Sequence, residues 1–326
     1  MFSYKGPIVT IVMDGIGLRN SEEGNAVKLA YTPILDRLFQ EYKYTSLKAH
    51  GTAVGLPSDD DMGNSEVGHN AIGAGAVYSQ GAKLVNESIE SGKMFQAKGW
   101  TEIVENVKKN QSVLHFIGLF SDGNVHSHID HLKAMLKEAK REEIQTVRIH
   151  ILLDGRDVGE TSALDYVIPF EAYLDELRCD TFDVKIASGG GRMNITMDRY
   201  EADWSMVERG WNTHVMGEGR QFPSAEKAIE TYRKETGCID QDLPPFVIAD
   251  ENGPIGKIND GDSVIFFNFR GDRALEISRA FEEKSLNTFH RKYLPAVCYA
   301  GMLQYDGDLN LSLIHISEPT RPEPIS

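Results

Sequence analysis

The sequence predicts an α/β fold built around a mostly parallel sheet. From about residue 110 onward one pattern recurs: an apolar run rich in β-branched and aromatic residues ends in a polar cluster, and a helical pattern follows. Strands and helices that alternate in this way form parallel sheets through right-handed crossovers. With 326 residues, 41% of them hydrophobic, the chain is long enough for two domains and a sizeable core.

The first elements precede this repeating pattern. The run from Ile8 to Met13 is apolar and β-branched, and it predicts a strand that is buried on both faces. Asp14 follows it before a glycine, where it is either a turn residue or a metal-binding or catalytic carboxylate. Thr32 and Pro33 then begin a helix whose apolar residues recur at helical spacing up to Tyr42. We place a domain boundary near residue 80.

An acidic stretch lies before that boundary. Three carboxylates, Asp59 to Asp61, lead into Gly63-Asn64-Ser65-Glu66, where a helix is predicted to begin. A serine at this position is commonly a helix N-cap. A helix N-terminus also favours anions, so that a hydroxyl beside metal-binding carboxylates could instead accept a phosphoryl group. This stretch alone leaves both interpretations open.

Four later strands end in charged residues. They are predicted over residues 113–120, 147–153, 182–187 and 264–269, and another strand and its exit over 296–306. Helices are predicted over 131–139 and over 163–177, the second interrupted by Pro169. Gly189-Gly190-Gly191 after the third strand could be a flexible turn.

The carboxyl ends of parallel strands meet at one edge of a sheet, where ligands bind. That edge is expected to collect His126, Asp154, Arg156, Asp157, Arg192, Arg270 and Arg273, with Arg199 nearby. Five arginines at one edge of an acidic protein predict a pocket for a multiply charged anion, because the guanidinium fork suits phosphate and carboxylate. Four other histidines, His115, His128, His131 and His150, match no metal-binding spacing and are expected to be structural or exposed.

Composition excludes several classes of protein. The formal net charge of −15 argues against a general nucleic-acid binder, and no phosphate-binding or dinucleotide-binding glycine motif occurs. Cys179, Cys238 and Cys298 are odd in number and far apart, so free thiols are expected. Without a signal peptide or a membrane-length apolar run, the sequence predicts a cytoplasmic protein without membrane contact.

Six motifs occur in order between about residues 8 and 310. They are Met13-Asp14-Gly15, Asp61-Met62-Gly63-Asn64-Ser65-Glu66-Val67-Gly68-His69-Asn70, Ser121-Asp122-Gly123-Asn124-Val125-His126-Ser127-His128, Asp154-Gly155-Arg156-Asp157, Met197-Asp198-Arg199-Tyr200 and Asn268-Phe269-Arg270-Gly271-Asp272-Arg273. Together they resemble the motifs of the cofactor-independent (2,3-bisphosphoglycerate-independent) phosphoglycerate mutases.

The resemblance implies an alkaline-phosphatase-like phosphatase domain, incomplete here, with an inserted α/β transferase domain. Residues 1–80 would be the first part of the phosphatase domain, 81–310 the inserted domain, and 311–326 a non-native tail. The activity implied is that of an isomerase, which interconverts 3- and 2-phosphoglycerate in glycolysis and gluconeogenesis through a phosphoserine intermediate. The expected partner is this small substrate, and the expected state is a monomer.

The resemblance also assigns roles. Ser65 would be the nucleophile, and Asp157 would be a candidate base. Asp14 and Ser65 would be ligands of two divalent ions, which would be manganese, magnesium or cobalt. The cofactor 2,3-bisphosphoglycerate would not be needed. The substrate would contact His126, Arg156, Asp157, Arg192, Arg199, Arg270 and Arg273. The metals would lower the pKa of the serine hydroxyl and stabilise the charge of the transferring phosphoryl group.

Two departures from the family pattern matter. Arg192 and Arg199 are one residue further apart than in its common form, and nothing after Asn310 resembles the motifs that supply most metal ligands. The chain itself is therefore expected to be inactive. The alternatives are a metal-dependent phosphatase or phosphopentomutase-like enzyme, and a non-catalytic phosphoglycerate-binding fragment.

Overall fold

The computed structural model describes residues 6–7, 9–13 and 16–305, which fall into two units, one up to Leu47 and the other from Lys48. The first unit contains α1 (Ala26–Leu29) and α2 (Pro33–Glu41). Thr32 occupies the N-cap position of α2 and Pro33 its first turn, which confirms the predicted helix. Neither helix has a buried residue.

The predicted buried strand at residues 8–13 is wrong for the residues described. Residues 9–13 form no strand, and Val9 and Ile11 are 75% and 78% exposed. A strand forms only when a neighbour accepts and donates its backbone hydrogen bonds, and no described residue pairs with this run. Ile8 and Asp14 lie outside the described residues.

The second unit carries the sheet and its helices. Its helices are α3 (Ser65–Ala74), α4 (Gly81–Glu90), α5 (Lys93–Gln96), α6 (Lys98–Asn110), α7 (Ile129–Arg141), α8 (Ala163–Leu177), α9 (Trp204–His214), α10 (Ala225–Thr236) and α11 (Leu275–Glu282). Its strands are β1 (Leu114–Leu119), β2 (Thr146–Leu153), β3 (Asp183–Gly191), β4 (Arg220–Phe222), β5 (Phe246–Asp250), β6 (Gly253–Pro254), β7 (Ser263–Phe266) and β8 (Cys298–Gly301). Short 3-10 turns lie at Gly51–Val54, Asp240–Asp242 and Gly271–Arg273.

The sheet is mostly parallel, as predicted. Its order is β4-β5-β3-β2-β1-β7-β8, with β6 paired to β5. In the centre, Phe116 of β1 lies level with Ile149 of β2 and Ile265 of β7, all in parallel register. β5 runs antiparallel to β3, a feature that the sequence did not reveal because β4 to β6 are short.

Helices cover both faces of the sheet. Phe116 packs in a buried cluster with apolar residues of α6, α7, α8 and α10, whereas the next residue, Ile117, packs with residues of α9 and α11. Successive side chains of a strand point to opposite faces, so these two clusters lie on opposite sides of the sheet. A strand buried on both faces explains why the sequence of β1 is continuously apolar.

Local details differ from the sequence expectations at two places. α8 continues through Pro169 without a break. The three glycines form the end of β3 and not a flexible turn. Close packing against the segment that contains Gln241 explains why glycine is needed here, because a Cβ at Gly191 would lie 2.2 Å from the carbonyl oxygen of Gln241.

Two compositional expectations can be compared with the described residues. The three cysteines are free, as expected. Within the part of the chain that the structure describes, no helix has the length and hydrophobicity needed to cross a membrane.

Candidate functional site

Asp154 organises the first half of the polar edge of the sheet. It follows β2, and its carboxylate accepts hydrogen bonds from the Ser121 hydroxyl (2.6 Å) and from the backbone N–H groups of Arg156 (3.2 Å) and Asp157 (3.0 Å). Arg192, which follows β3, donates to it at 2.7 Å and to the Asp157 carboxylate at 2.5 Å. The ends of β1, β2 and β3 are thus joined around one buried arginine, whose side chain is 1% exposed.

Asp272 organises the second half. Its carboxylate lies 2.9 Å from Nη2 of Arg270, 3.6 Å from Nη1 of Arg199 and 3.6 Å from Nδ1 of His126. The loop after β1 and the loop after β7 are also linked directly, since the His126 carbonyl accepts the backbone N–H of Phe269 at 2.7 Å. The sequence did not single out Asp272, although the aspartate stands between two arginines of the last motif.

The electrostatics indicate more positive charge than these two aspartates neutralise. Burial lowers the pKa of His126 well below its usual value, and four arginines lower it further. Those arginines are Arg192, Arg270, Arg273 and Arg199. Burial and the same surroundings also lower the pKa of the Arg273 guanidinium. Burial is the larger cause of this lowered arginine pKa, and the neighbouring cations Arg192, Arg199 and Arg156 add to it.

Several buried polar atoms of this cluster lack hydrogen-bond partners among the described residues. They include Nδ1 of His126, Nε of Arg192, Nε of Arg270 and both carboxylate oxygens of Asp272. Buried polar atoms are normally satisfied, so this edge offers unpaired atoms to a ligand, and the surrounding arginines favour an anionic one. The structure therefore brings together the predicted arginines in an arrangement that suits a phosphate or carboxylate. Arg156 lies at the same edge but is exposed.

Ser65 is the first residue of α3 and is exposed. The N-cap is Asn64, whose side chain accepts from the Val67 N–H at 3.2 Å, so Ser65 is not the cap. Its hydroxyl oxygen lies 3.2 Å from Nδ1 of His69. The helix N-terminus leaves unpaired N–H groups next to this hydroxyl, which favours a negatively charged group there.

The serine and the arginine cluster share a cavity. Ser65, Tyr200, Arg270 and Asp272 line it together with other residues of α3. Glu66, next to the serine, lies with a carboxylate oxygen 3.7 Å from Nε of Arg270. The geometry thus places a hydroxyl, a helix N-terminus and a guanidinium around one space.

Asp157 has the properties of a proton acceptor. Burial raises the pKa of its carboxyl, an effect that Arg192 opposes and Asp154 reinforces. A carboxylate with a raised pKa takes up a proton more readily near neutral pH. Its side chain is partly exposed and is therefore accessible to a ligand.

A hydrogen bond connects the acidic stretch to the polar edge of the sheet. Nδ2 of Asn124 donates to Oδ1 of Asp61 at 2.5 Å, and Asn124 has a positive φ of 57°. Asp61 also accepts from the backbone and the hydroxyl of Ser58. The acidic stretch therefore has a structural role that its sequence did not indicate.

The predicted metal site has no support from the described residues. Asp14 lies outside them, and no three side chains of His, Cys, Asp or Glu converge on one point within 6–7, 9–13 and 16–305. The residues at hand do not fit a site for two divalent ions, which needs several oxygen or nitrogen ligands for each ion.

Comparisons with known proteins agree with the motifs. A family model described as the BPG-independent PGAM N-terminus matches residues 85–307. A protein of Leptospira interrogans, named a probable 2,3-bisphosphoglycerate-independent phosphoglycerate mutase, is 60% identical over 307 residues. A 2,3-bisphosphoglycerate-independent phosphoglycerate mutase of Trypanosoma brucei brucei is 52% identical over 307 residues. Each alignment covers 93% of this chain and 56% of the relative.

A solved structure is also similar. The crystal structure of Leishmania mexicana phosphoglycerate mutase at low cobalt concentration matches with a TM-score of 0.86 and 48% identity. The match covers 91% of this chain and 55% of that one. The chain thus spans little more than half the length of the proteins that it resembles.

Proposed function

Because this chain belongs to the family of 2,3-bisphosphoglycerate-independent phosphoglycerate mutases, we propose that it forms the part of such an enzyme that binds phosphoglycerate and presents the serine that accepts its phosphoryl group. The complete activity would interconvert 3- and 2-phosphoglycerate in glycolysis and gluconeogenesis. The free cysteines suit a reducing compartment, which supports a cytoplasmic location.

One observation carries the proposal: Arg270, a member of the cationic cluster, lines the same cavity as Ser65. Phosphoryl transfer requires a nucleophile and a charged clamp on the same phosphate. Phosphoglycerate carries a phosphate and a carboxylate, and the cluster offers enough guanidinium groups for both. We assign Arg270 and Arg273 to the phosphate, and His126, Arg156, Arg192 and Arg199 to the rest of the molecule.

The proposed chemistry is a transfer to serine and back. The Ser65 oxygen attacks phosphorus, the bond to the 3-oxygen of 3-phosphoglycerate breaks, and the serine proton passes to that oxygen. Glycerate stays bound and reorients. Its 2-hydroxyl then attacks the phosphoserine while Asp157 accepts the hydroxyl proton, and the bond between phosphorus and the Ser65 oxygen breaks. Asp157 releases its proton and the Ser65 oxygen takes one up, which gives 2-phosphoglycerate and restores both groups. Because the described residues do not fit a metal site, no step is assigned to a metal.

Isothermal titration calorimetry with 3-phosphoglycerate tests the pocket. Arg270→Ala is expected to weaken binding by about 10- to 100-fold, because hydrogen bonds to charged groups contribute about 1.5–3 kcal/mol. The matched control is Arg220→Ala, which removes an exposed arginine of β4 that pairs with Glu235. Equal affinities of the Arg270→Ala variant and the unsubstituted chain would refute the pocket.

A coupled assay without added bisphosphoglycerate tests turnover. We expect binding without turnover from the 326-residue chain, because it spans 56% of its relatives' length and the family resemblance assigns further metal ligands to the remainder. Metal-dependent formation of 2-phosphoglycerate by this chain would overturn that expectation. Release of inorganic phosphate alone would favour the phosphatase alternative.

A further inference from the structure

A chain of six buried polar side chains crosses the second unit and takes no part in the proposed chemistry. It runs in the order Asp262, His115, His150, Ser188, His214 and Thr196. The links measure 3.3, 3.0, 2.6, 2.8 and 3.0 Å. All six residues are buried, with at most 3% exposure. Such a continuous network is costly unless every member is satisfied.

The positions of the six residues follow from the sheet. His150 of β2 lies level with Ser188 of β3 in parallel register, and β1 supplies His115 on the other side of β2. His214 is the last residue of α9, which packs on this face of the sheet. The network of hydrogen bonds therefore begins at Asp262, before β7, and ends at Thr196, beyond the carboxyl end of β3.

The proton positions can be assigned for all five hydrogen bonds of the network. Burial lowers the pKa of all three histidines, that of His214 to about 3, so each ring is neutral and has one donor and one acceptor. The Asp262 carboxylate accepts, so His115 donates from Nε2 and accepts at Nδ1. His150 must then donate from Nε2 and accept the Ser188 hydroxyl at Nδ1.

In the last two hydrogen bonds, as in the first three, the residue further from Asp262 donates to the residue nearer to it. The Ser188 oxygen accepts a hydrogen bond from Nδ1 of His214, and Nε2 of the same ring accepts one from the Thr196 hydroxyl. Each of the five links thus has one donor and one acceptor, and with the Asp262 carboxylate as acceptor no other assignment of neutral rings satisfies all five. The hydroxyl of Thr196 is fixed by a network anchored on three strands.

Thr196 is also held in an unusual backbone position. Its φ is +68°, which is unfavourable for a β-branched residue. Its N–H donates to the Met206 carbonyl at 2.9 Å, and a Cβ at Gly210 would lie 2.1 Å from the threonine hydroxyl oxygen. The absence of a side chain at Gly210 lets Thr196 approach α9. The hydrogen bond from Thr196 to His214 helps to maintain this strained turn.

The strained turn lies within the arginine pocket. The next residue, Met197, accepts a hydrogen bond at its carbonyl from Nη1 of Arg273 at 2.6 Å. Arg192 and Arg199 stand at the two ends of the same loop, residues 192–199. We propose that Thr196 and His214 are positioning residues, which fix this loop and the Arg273 guanidinium for the bound phosphoglycerate. The proposal rests on the proposed function for the identity of the ligand.

Thr196→Val tests the proposal, since it keeps the branched shape of the side chain and replaces only the hydroxyl by a methyl group. Binding of 3-phosphoglycerate by calorimetry is expected to weaken by about tenfold, because the buried Nε2 of His214 loses its partner and the loop loosens. Thr196→Ser keeps the hydroxyl and is expected to restore affinity to within about threefold. The matched control is Thr213→Val, a buried threonine of α9 whose hydroxyl bonds to the carbonyl of Arg209 in its own helix.

Two further measurements do not depend on the ligand. Nitrogen-15 spectra of the histidine side chains are expected to show His115 and His150 protonated at Nε2 and His214 protonated at Nδ1; a different tautomer at His214 would overturn the assignment. Amide hydrogen exchange at Met197 is expected to be about tenfold faster in Thr196→Val than in Thr213→Val. Equal exchange rates and equal affinities in these two variants would refute the positioning role. Failure of the unsubstituted chain to bind 3-phosphoglycerate would instead refute the proposed function.

Discussion

Acidification is expected to weaken the fold of the second unit through two buried histidines. Burial lowers the pKa of His131 and of His214 to about 3, whereas an unfolded histidine has a pKa of about 6.5. Between these values the unfolded chain binds protons that the folded chain does not. The free energy of unfolding should therefore be constant above about pH 7 and fall as the pH decreases from about 6.5 towards 3.

The magnitude follows from the two pKa values. Each such histidine contributes a slope of up to about 1.4 kcal/mol per pH unit inside this window. Integrated from pH 7 to pH 5, the loss is about 2 kcal/mol for each ring and about 4 kcal/mol for both. Buried carboxyl groups with raised pKa values, such as Glu276, act in the opposite direction, so the test compares variants and not the absolute slope.

Urea unfolding between pH 5 and pH 7 measures this loss. The fluorescence of Trp100 and Trp211 reports the transition, because both side chains are fully buried. His131→Gln keeps a donor for Oδ1 of Asn86, which lies 2.6 Å from Nε2 of His131. The variant is expected to lose about 2 kcal/mol less than the unsubstituted chain between pH 7 and pH 5.

The control is His290→Gln, which replaces an exposed histidine and is expected to leave the pH dependence unchanged. If His131→Gln and the unsubstituted chain lose the same free energy between pH 7 and pH 5, the buried ring is not the group that resists protonation. That result would refute the reasoning for His131 and weaken it for His214.

Other substitutions test the packing and the polar edge. Arg192→Met leaves the buried Asp154 carboxylate and the partly exposed Asp157 carboxylate without their cation. It should lower the free energy of unfolding by about 3–5 kcal/mol; an unchanged urea midpoint would contradict the pairing. Gly118→Ala places a Cβ 2.8 Å from the Phe267 ring and should cost about 1–3 kcal/mol in calorimetry, whereas an unchanged melting temperature would disprove the close contact. Asn124→Gly and Asn124→Ala both lose the bond to Asp61, but alanine should cost about 1 kcal/mol more because of the positive φ, and identical stabilities would argue against that strain.

Much of the sheet was predictable because its strands are buried on both faces and end in charged residues. The order of polar clusters along the chain also predicted that Arg192 and Arg270 would lie at one edge, and the structure brings them there. Their contacts with substrate stay a prediction. Asp272 was not predictable as the partner of three side chains, since two of them, His126 and Arg199, come from loops that are remote in sequence.

The buried histidines and the first strand show where sequence patterns fail. His115 and His150 are 35 residues apart, and only the register of β1 and β2 brings their rings to 3.0 Å. The run at residues 8–13 has the composition of a buried strand, but composition supplies no pairing partner. A strand depends on residues elsewhere in a way that an amphipathic helix such as α2 does not.

The central position of β1 has a consequence for the order of folding. β1 pairs with β2 on one side and with β7 on the other, and the partner of Phe116 in β7 is Ile265, about 150 residues later in the chain. Closing so long a loop is slow because its entropic cost precedes the stabilising contacts. In the sequence Arg192 lies before β7 and Arg270 lies after it, so the two arginines come together only when β7 has paired with β1. The capacity to bind a phosphorylated ligand during refolding should therefore report the docking of β7 and not the earlier collapse of the chain.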